Sequence, residues 1–424
     1  MQGTSRKMGE AVLRSRFFWY LPYLTSIRAS MKPRILVDQD IPGAVDIFSG
    51  FGEVQPVPGH DIDARAVRHA DVLVVRSITR VDASLLAGSS VGFVGTATAG
   101  LDHMDIDFLT ASGIAWASAP GANAESVVEY VLATIAVIAS RRSASLHRKT
   151  LGIIGCGHVG ERLAVRAESI GMRVLRNDPP RADREGADAF VELNRLLPQC
   201  DIISIHVPLV RSGMHPTEML VGPRAFGLIR SSAWLIQTSR GGTMDEVWAA
   251  RARTDGRLDA LVLDVFAGEP HPDPAIVEAA DVATGHIAGY SRDAKRNGLL
   301  MIRDALERYL GLGTPSFSAG GNHQGVLKRP LDSRGQPVPV HDPSWLDMVL
   351  RQVIDVRSDD TRFRRVVASS NPVEGFHAYR ANYPARYSWS RYAAWPDATG
   401  EEVGRLCALG FTIGEEADVS GQVV

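Results

Sequence analysis

The sequence predicts an α/β protein: two doubly wound, Rossmann-like parallel-sheet domains followed by a small α+β C-terminal domain. Three observations carry this reading. Short Val- and Ile-rich runs recur from residue 34 to about residue 284, with helix-spaced segments between them, the rhythm of successive βα units. One of these runs leads directly into Gly155, Gly157 and Gly160 at G-x-G-x-x-G spacing. After residue 313 the rhythm stops, giving way to Gly/Pro-rich segments and then to a stretch rich in Tyr, Trp and Phe.

Taken in order, residues 1–30 hold Arg6, Lys7, Arg14, Arg16 and Arg28 around an apolar run that Pro22 breaks. The run is too short to span a membrane, and no small-residue cleavage site follows it. Met31 stands just before the first clean strand pattern, so residues 1–30 are expected to be a disordered or mis-started leader. Residues 34–38, 72–75, 91–94 and 114–116 then read as buried parallel strands. Residues 125–140 are almost wholly apolar and too long for a strand, hence a buried helix. A second series of strands follows at 150–154, 173–175, 201–205, 233–237, 260–263 and 282–284. The expected domains are a substrate-binding lid at 31–125 and 288–312, a dinucleotide-binding domain at 126–287, and a tail at 313–424. Within the tail only residues 345–354 have a clear helical period.

Composition excludes several classes. With 46 Lys and Arg against 48 Asp and Glu, the net charge of -2 leaves no basic surplus for a nucleic-acid partner. No stretch is long and apolar enough for a membrane partner. Three scattered cysteines, Cys156, Cys200 and Cys407, suit neither a disulfide framework nor a zinc site, so the expectation is a reducing cytoplasm and no metal.

The glycine loop points to chemistry. The first glycine of such a loop allows a tight turn, the second lets backbone approach a pyrophosphate, and the third permits close helix packing. The helix that opens at His158 and Val159 then turns its positive end to the phosphates. Asp178 closes the next strand, where a carboxylate can accept the ribose hydroxyls and repel a 2′-phosphate, so NAD is expected in preference to NADP. Arg176, Arg181 and Arg184 lie close enough in sequence to soften that preference.

Three later strands end in polar segments: Thr238 to Arg240, Asp264 to Glu269, and Thr284 to Tyr290. Oxidising a 2-hydroxy acid needs a cation for the carboxylate, a base for the hydroxyl proton and a partner for that base. Arg240, His286 and Glu269 supply these in turn. Each alone also has a structural reading, as a helix-cap ion pair, a buried histidine or a loop charge. A phosphate on the substrate would need local positive charge, and Arg76 with Ser77, at the end of the second strand run, offers a guanidinium and a hydroxyl, helped by Thr98. An ion pair is the alternative role for Arg76.

Together the Ser239-Arg240-Gly241 run, the Glu269-Pro270 loop and the histidine flanked by Gly285 resemble the D-isomer-specific 2-hydroxyacid dehydrogenase family, over residues 31–312. The resemblance implies NAD as cofactor, with Arg240, Glu269 and His286 catalytic. It implies Asp178, Asp264 and Gly289 as cofactor contacts, with Val207 and Thr238 at neighbouring strand ends. Ser77, Thr98 and Tyr290 become substrate contacts. Val207 departs from the family, which often has threonine there, as does the run from Gly242 to Met244. Segments at 35–38, 75–79, 95–100, 178–183 and 286–290 are similar to a branch of the family acting on a small phosphorylated 2-hydroxy acid. The tail, through 376–389 and 406–412, resembles that branch's C-terminal dimerisation domain, which implies a homodimer. Two other readings stay open: a relative acting on 3-phosphoglycerate, and an NAD-sensing regulator on the same fold.

Overall fold

The computed structural model describes residues 19–20, 32–312 and 323–413. The chain divides into two compact units, one of Met1–Asn123 with Asp293–Gly320, the other of Ala124–Arg292 with Gly321–Val424.

The first unit is built on a six-stranded sheet of β1 (Trp19–Tyr20), β2 (Arg34–Asp38), β3 (Glu53–Val57), β4 (Val72–Val75), β5 (Phe93–Thr96) and β6 (Ala115–Ala117), in the order β1-β6-β5-β4-β2-β3. Strands β2 to β6 are parallel, and β1 adds antiparallel to β6. The unbroken apolar runs follow from burial on both faces. Ile35, Val37, Val72, Val74 and Phe93 pack with Leu299, Ile302 and Leu306 of the helix Arg292–Tyr309. Leu36, Leu73, Val75 and Val94 face the other way, onto Val67, Leu85 and Leu109. Strand β3 has no such run. It lies at the sheet edge, pairs only with β2 and accommodates Pro56, which an edge tolerates because no outer strand needs its N–H. Of the expected leader, only Trp19 and Tyr20 are described, as β1; its other residues lie outside the described ones, as does the Gly/Pro-rich stretch 313–322.

The second unit repeats the plan with β7 (Thr150–Ile154), β8 (Arg173–Asn177), β9 (Ile202–Ile205), β10 (Trp234–Gln237), β11 (Ala260–Leu263) and β12 (Val282–Ala283), all parallel, in the order β12-β11-β10-β9-β7-β8. Strand order reverses beside the first parallel strand of each unit, between β2 and β4 and between β7 and β9. At such a reversal the flanking helices leave to opposite faces, opening a crevice at the carboxyl ends of the strands. The apolar run expected as a helix is the helix Ala124–Arg141, buried continuously from Ser126 to Ala139.

The tail pairs β13 (Gly325–Val326) with β14 (Tyr392–Ala393) and adds the helices Pro343–Leu350, Val356–Val367, Pro372–Ala381 and Gly400–Leu409. Trp345, Leu346, Val349, Phe363, Phe376 and Trp389 join the same core as β7 to β12 and the Ala124–Arg141 helix. Read from sequence as a domain of its own, the tail shares a core with the dinucleotide-binding sheet, and the junction between units falls at 292/293 rather than 287/288.

Candidate active site and cofactor cradle

The loop after β7 has the shape its glycines suggest. Gly155 has φ +91°, and a Cβ there would meet the His206 carbonyl oxygen at 2.6 Å. A Cβ on Gly160 would stand 2.1 Å from the Gly155 carbonyl oxygen, so helix and strand approach as closely as they do only without one. At Gly157, in contrast, a Cβ would meet nothing within 4 Å. That open space lies over the first turn of the helix His158–Ser169, whose N-cap, Gly157, offers no side-chain cap. Backbone N–H groups there suit a pyrophosphate. His158 and Val159 form the first turn, and Val207 backs the loop, its Cγ1 2.8 Å from where a Gly155 Cβ would stand.

Asp178 accepts the Cys156 N–H at 2.9 Å through Oδ2 and the Arg181 N–H at 2.9 Å through Oδ1. It thus holds the glycine loop and caps the helix Pro179–Glu185, with a lone pair left on each oxygen for ribose hydroxyls. Two of the three nearby arginines are occupied: Arg181 pairs with Glu161 and Glu185, and Arg176 with Glu168. Their charges are partly cancelled where a 2′-phosphate would need them. The cradle therefore fits NAD.

The candidate reacting groups lie after β10, β11 and β12. His286 Nδ1 is 2.8 Å from Glu269 Oε2, and Glu269 Oε1 accepts the Phe266 N–H at 2.9 Å. Glu269 is held below the ordinary value for a glutamate. Burial, the largest influence, pushes it up, but the hydrogen bond and charge of His286, the Phe266 N–H and the charge of Arg380 together outweigh burial. Arg240 donates to the Ser239 carbonyl at 2.9 Å.

His286 has φ +58°, a left-handed conformation that costs a residue other than glycine about 1–3 kcal/mol and persists only where its surroundings impose it. Asp264 does much of the imposing. Its carbonyl accepts the His286 N–H at 2.7 Å, and its carboxylate accepts the Thr284 hydroxyl at 2.6 Å and the N–H groups of Ile287 at 2.8 Å and Ala288 at 2.9 Å. Burial pushes this carboxyl up to about 6. Expected as a cofactor contact, Asp264 is placed here as the anchor of the histidine loop, just before Gly289.

The tail holds the same loop from the other side. Buried Arg386 donates to the Ala288 carbonyl at 2.9 Å and the Ser126 carbonyl at 2.8 Å, and Asp360 accepts the Ala283 N–H at 2.7 Å. A Cβ on Gly285 would meet Phe363 Cε2 at 2.6 Å and Tyr379 Cδ1 at 3.1 Å. Tyr290 stands edge-on to Tyr383, ring centroids 6.1 Å apart. Sequence reasoning missed Asp360, Arg380 and Arg386. For Arg380 and Arg386 the one signal was the density of aromatic and arginine residues around 376–392, which has no period of its own.

His206 lies between Ser204 at 2.8 Å and Thr238 at 3.5 Å, and burial pushes it down to about 3, so it is a neutral strand-end residue. In the first unit, Thr98 meets Thr96 at 2.9 Å and donates to the Gly100 carbonyl at 3.2 Å, while Ser77 is exposed. Arg76 donates through Nε to Asp38 at 2.8 Å and through a terminal nitrogen to Asp40 at 2.6 Å.

A doubly wound sheet with a dinucleotide cradle and a carboxylate-paired histidine at its strand ends defines a nicotinamide-dependent dehydrogenase. Comparison with known proteins narrows the class. Residues 134–288 match the family model described as D-isomer specific 2-hydroxyacid dehydrogenase, NAD binding domain. Erythronate-4-phosphate dehydrogenase of Salinibacter ruber is 42% identical over 359 residues, 83% of this chain and 91% of that protein. The protein of the same name from Azotobacter vinelandii is 43% identical over 83% of this chain and 92% of its own. Among solved structures, D-lactate dehydrogenase of Aquifex aeolicus, complexed with NAD and lactic acid, superposes with a TM-score of 0.56 at 23% identity, covering 66% of this chain and 95% of that one. The chain belongs to the erythronate-4-phosphate dehydrogenase family of the D-isomer-specific 2-hydroxyacid dehydrogenases. It is an NAD-dependent oxidoreductase.

Proposed function

We propose that the chain oxidises 4-phospho-D-erythronate to 3-hydroxy-2-oxo-4-phosphooxybutanoate, a step of pyridoxal 5′-phosphate biosynthesis, in the cytoplasm and as a homodimer assembled through its tail. The name shared by relatives over most of the chain supports the substrate, and the His286–Glu269 pair at 2.8 Å carries the chemistry. Among the described residues no helix is long and apolar enough to cross a membrane.

NAD, when bound in the Gly155–Gly160 cradle, supplies the hydride acceptor. With Nδ1–H donated to Glu269, the neutral imidazole presents Nε2 as a base, and Nε2 takes the C2 hydroxyl proton. The imidazolium that forms gains the charge of Glu269, and the same hydrogen bond keeps the ring from rotating. Arg240 grips the substrate carboxylate through its planar fork and polarises the oxygen becoming a carbonyl. Ser77, Thr98 and Tyr290 contact the rest of the substrate, with Thr238 and Gly289 on the cofactor side. The experiment follows NADH formation with 4-phospho-D-erythronate, 3-phosphoglycerate and D-lactate side by side. The expected result is a kcat/KM largest for 4-phospho-D-erythronate. A larger value for 3-phosphoglycerate or lactate overturns the substrate, and no turnover of any overturns the enzyme.

A further inference from the structure

The substrate in that reading carries a phosphate at one end and a carboxylate at the other, and Arg240 serves only the carboxylate. A chain of net charge -2 must hold the phosphate with a local cation. The sequence offers Arg76, but two carboxylates already meet that guanidinium, and Asp38, the nearer to Nε, is buried. One cation between two carboxylates leaves a negative surplus, and a phosphate dianion would have to enter against it.

Arg380 presents the opposite arrangement. It stands in the last turn of the helix Pro372–Ala381, half-buried, and its side chain forms no ion pair or hydrogen bond among the described residues. Its Nε is buried without a partner. What holds the side chain is aromatic: the guanidinium carbon lies 5.3 Å from the ring centre of Tyr290 and 5.8 Å from that of Phe376. Stacking on ring faces fixes the plane of a guanidinium without using its N–H groups, which remain available as a fork. Tyr290 follows His286 by four residues on the same loop, and Arg380's charge is among those that stabilise the Glu269 carboxylate. An oriented cation with unused donors thus stands beside the catalytic pair, within the same unit.

We propose that Arg380, contributed by the tail and stacked on Tyr290, is the residue that binds the phosphate of the substrate. The tail then selects the phosphorylated acid, in addition to any part in assembly. The inference rests on the function proposed above for its substrate, and on the geometry alone for its residue. A planar guanidinium can donate two parallel bonds to phosphate oxygens, which a lysine ammonium in the same place cannot reproduce.

The test measures kcat/KM for 4-phospho-D-erythronate and for unphosphorylated D-erythronate in the wild type and in Arg380→Met, Arg380→Lys and Arg76→Gln. Inorganic phosphate is added as a competitor, and thermal melts check folding. Arg380→Met is expected to lower kcat/KM for the phosphorylated acid by about 10- to 100-fold, mainly through KM, and to leave D-erythronate within about twofold. Inorganic phosphate should compete correspondingly less well. Arg380→Lys should restore part of the loss. Equal losses on both acids would mean that Arg380 acts only by stabilising Glu269, and a loss confined to the phosphorylated acid in Arg76→Gln but not in Arg380→Met would return the phosphate to Arg76. Either result overturns the proposal. The wild-type substrate ranking separately tests the proposed function, and the variant ratios are read on whichever phosphorylated acid the wild type turns over.

Discussion

The two units carry the same sheet order through their first five parallel strands, yet they use the reversal point in opposite ways. In the second unit, β7 runs into glycines, and the space over Gly157 stays open to a ligand. In the first unit, the corresponding strand β2 ends in Asp38, which reaches across to Arg76 beyond β4 and closes an ion pair. Topology makes a crevice at both places, and side chains decide whether it receives a ligand or is filled from within. The same contrast extends to buried carboxylates. Asp38 has a guanidinium at hydrogen-bond distance, whereas among the described residues Glu129 accepts the Ser388 hydroxyl and the Trp389 N–H on one oxygen and nothing on the other.

If the chemistry belongs to the second unit, the largest single loss should come from its histidine. His286→Ala is expected to lower kcat by about 10²- to 10⁴-fold while NAD affinity, measured by fluorescence titration, stays within about twofold. Turnover near wild type would place the base elsewhere.

If the Asp38–Arg76 pair closes the first unit's crevice, removing it should appear in stability more than in chemistry. Arg76→Ala strands a buried carboxylate and is expected to cost about 2–3 kcal/mol in denaturant unfolding, visible as a lowered midpoint. A midpoint equal to wild type would show that the pair is not structural.

Asp178 sharpens the ligand side of the contrast. Asp178→Ala should weaken NAD about tenfold, the scale of one charged hydrogen bond, and narrow the preference over NADP. Calorimetric titration with both dinucleotides measures this, and an unchanged ratio would move specificity to other residues.

The smallest effect concerns Glu129. Burial raises it to about 7, against the opposing charge of Arg386 and the bonds from Ser388 and Trp389. Its raised value means the folded state binds this proton more tightly than the unfolded state. The associated stability is complete below the unfolded value, near 4.5, and is lost as pH rises toward about 7. Glu129→Gln should therefore melt like wild type at pH 5 and lose less stability by pH 8. Parallel pH profiles of Tm would exclude this carboxyl as the titrating group.

Much of the two sheets was legible because their signals are local. A strand buried on both faces must be apolar throughout, so β4, β7 and β11 appear where the runs of residues 72–75, 150–154 and 260–263 stand. Elsewhere the runs locate strands to within a few residues: residues 91–94 anticipate β5, which spans Phe93–Thr96. The glycine loop and the Arg240, Glu269 and His286 positions were legible for the same reason, since each closes a recognisable strand. Strand β3 was not, because an edge strand with exposed residues and Pro56 has no pattern distinct from a loop. The helices Val356–Val367 and Pro372–Ala381 were not either, since their buried residues, Val356, Asp359, Phe363 and Val367 in one and Phe376 and Tyr379 in the other, include a carboxylate and are interspersed with arginines, which blurs the apolar period.

By itself the sequence determined most of the two series of strands, the dinucleotide loop and the strand-end positions of the candidate acid–base pair, because backbone conformation and strand-end chemistry are set by near neighbours. Tertiary structure alone decided what those residues meet. It gave Asp264 to the histidine loop, tied Arg76 to Asp38 and Asp40, and brought Arg380 and Arg386 from about a hundred residues downstream to the loop that carries His286. Pairings at that separation depend on how helices pack onto a sheet, and packing is a property of the whole core, with no local spacing that records it.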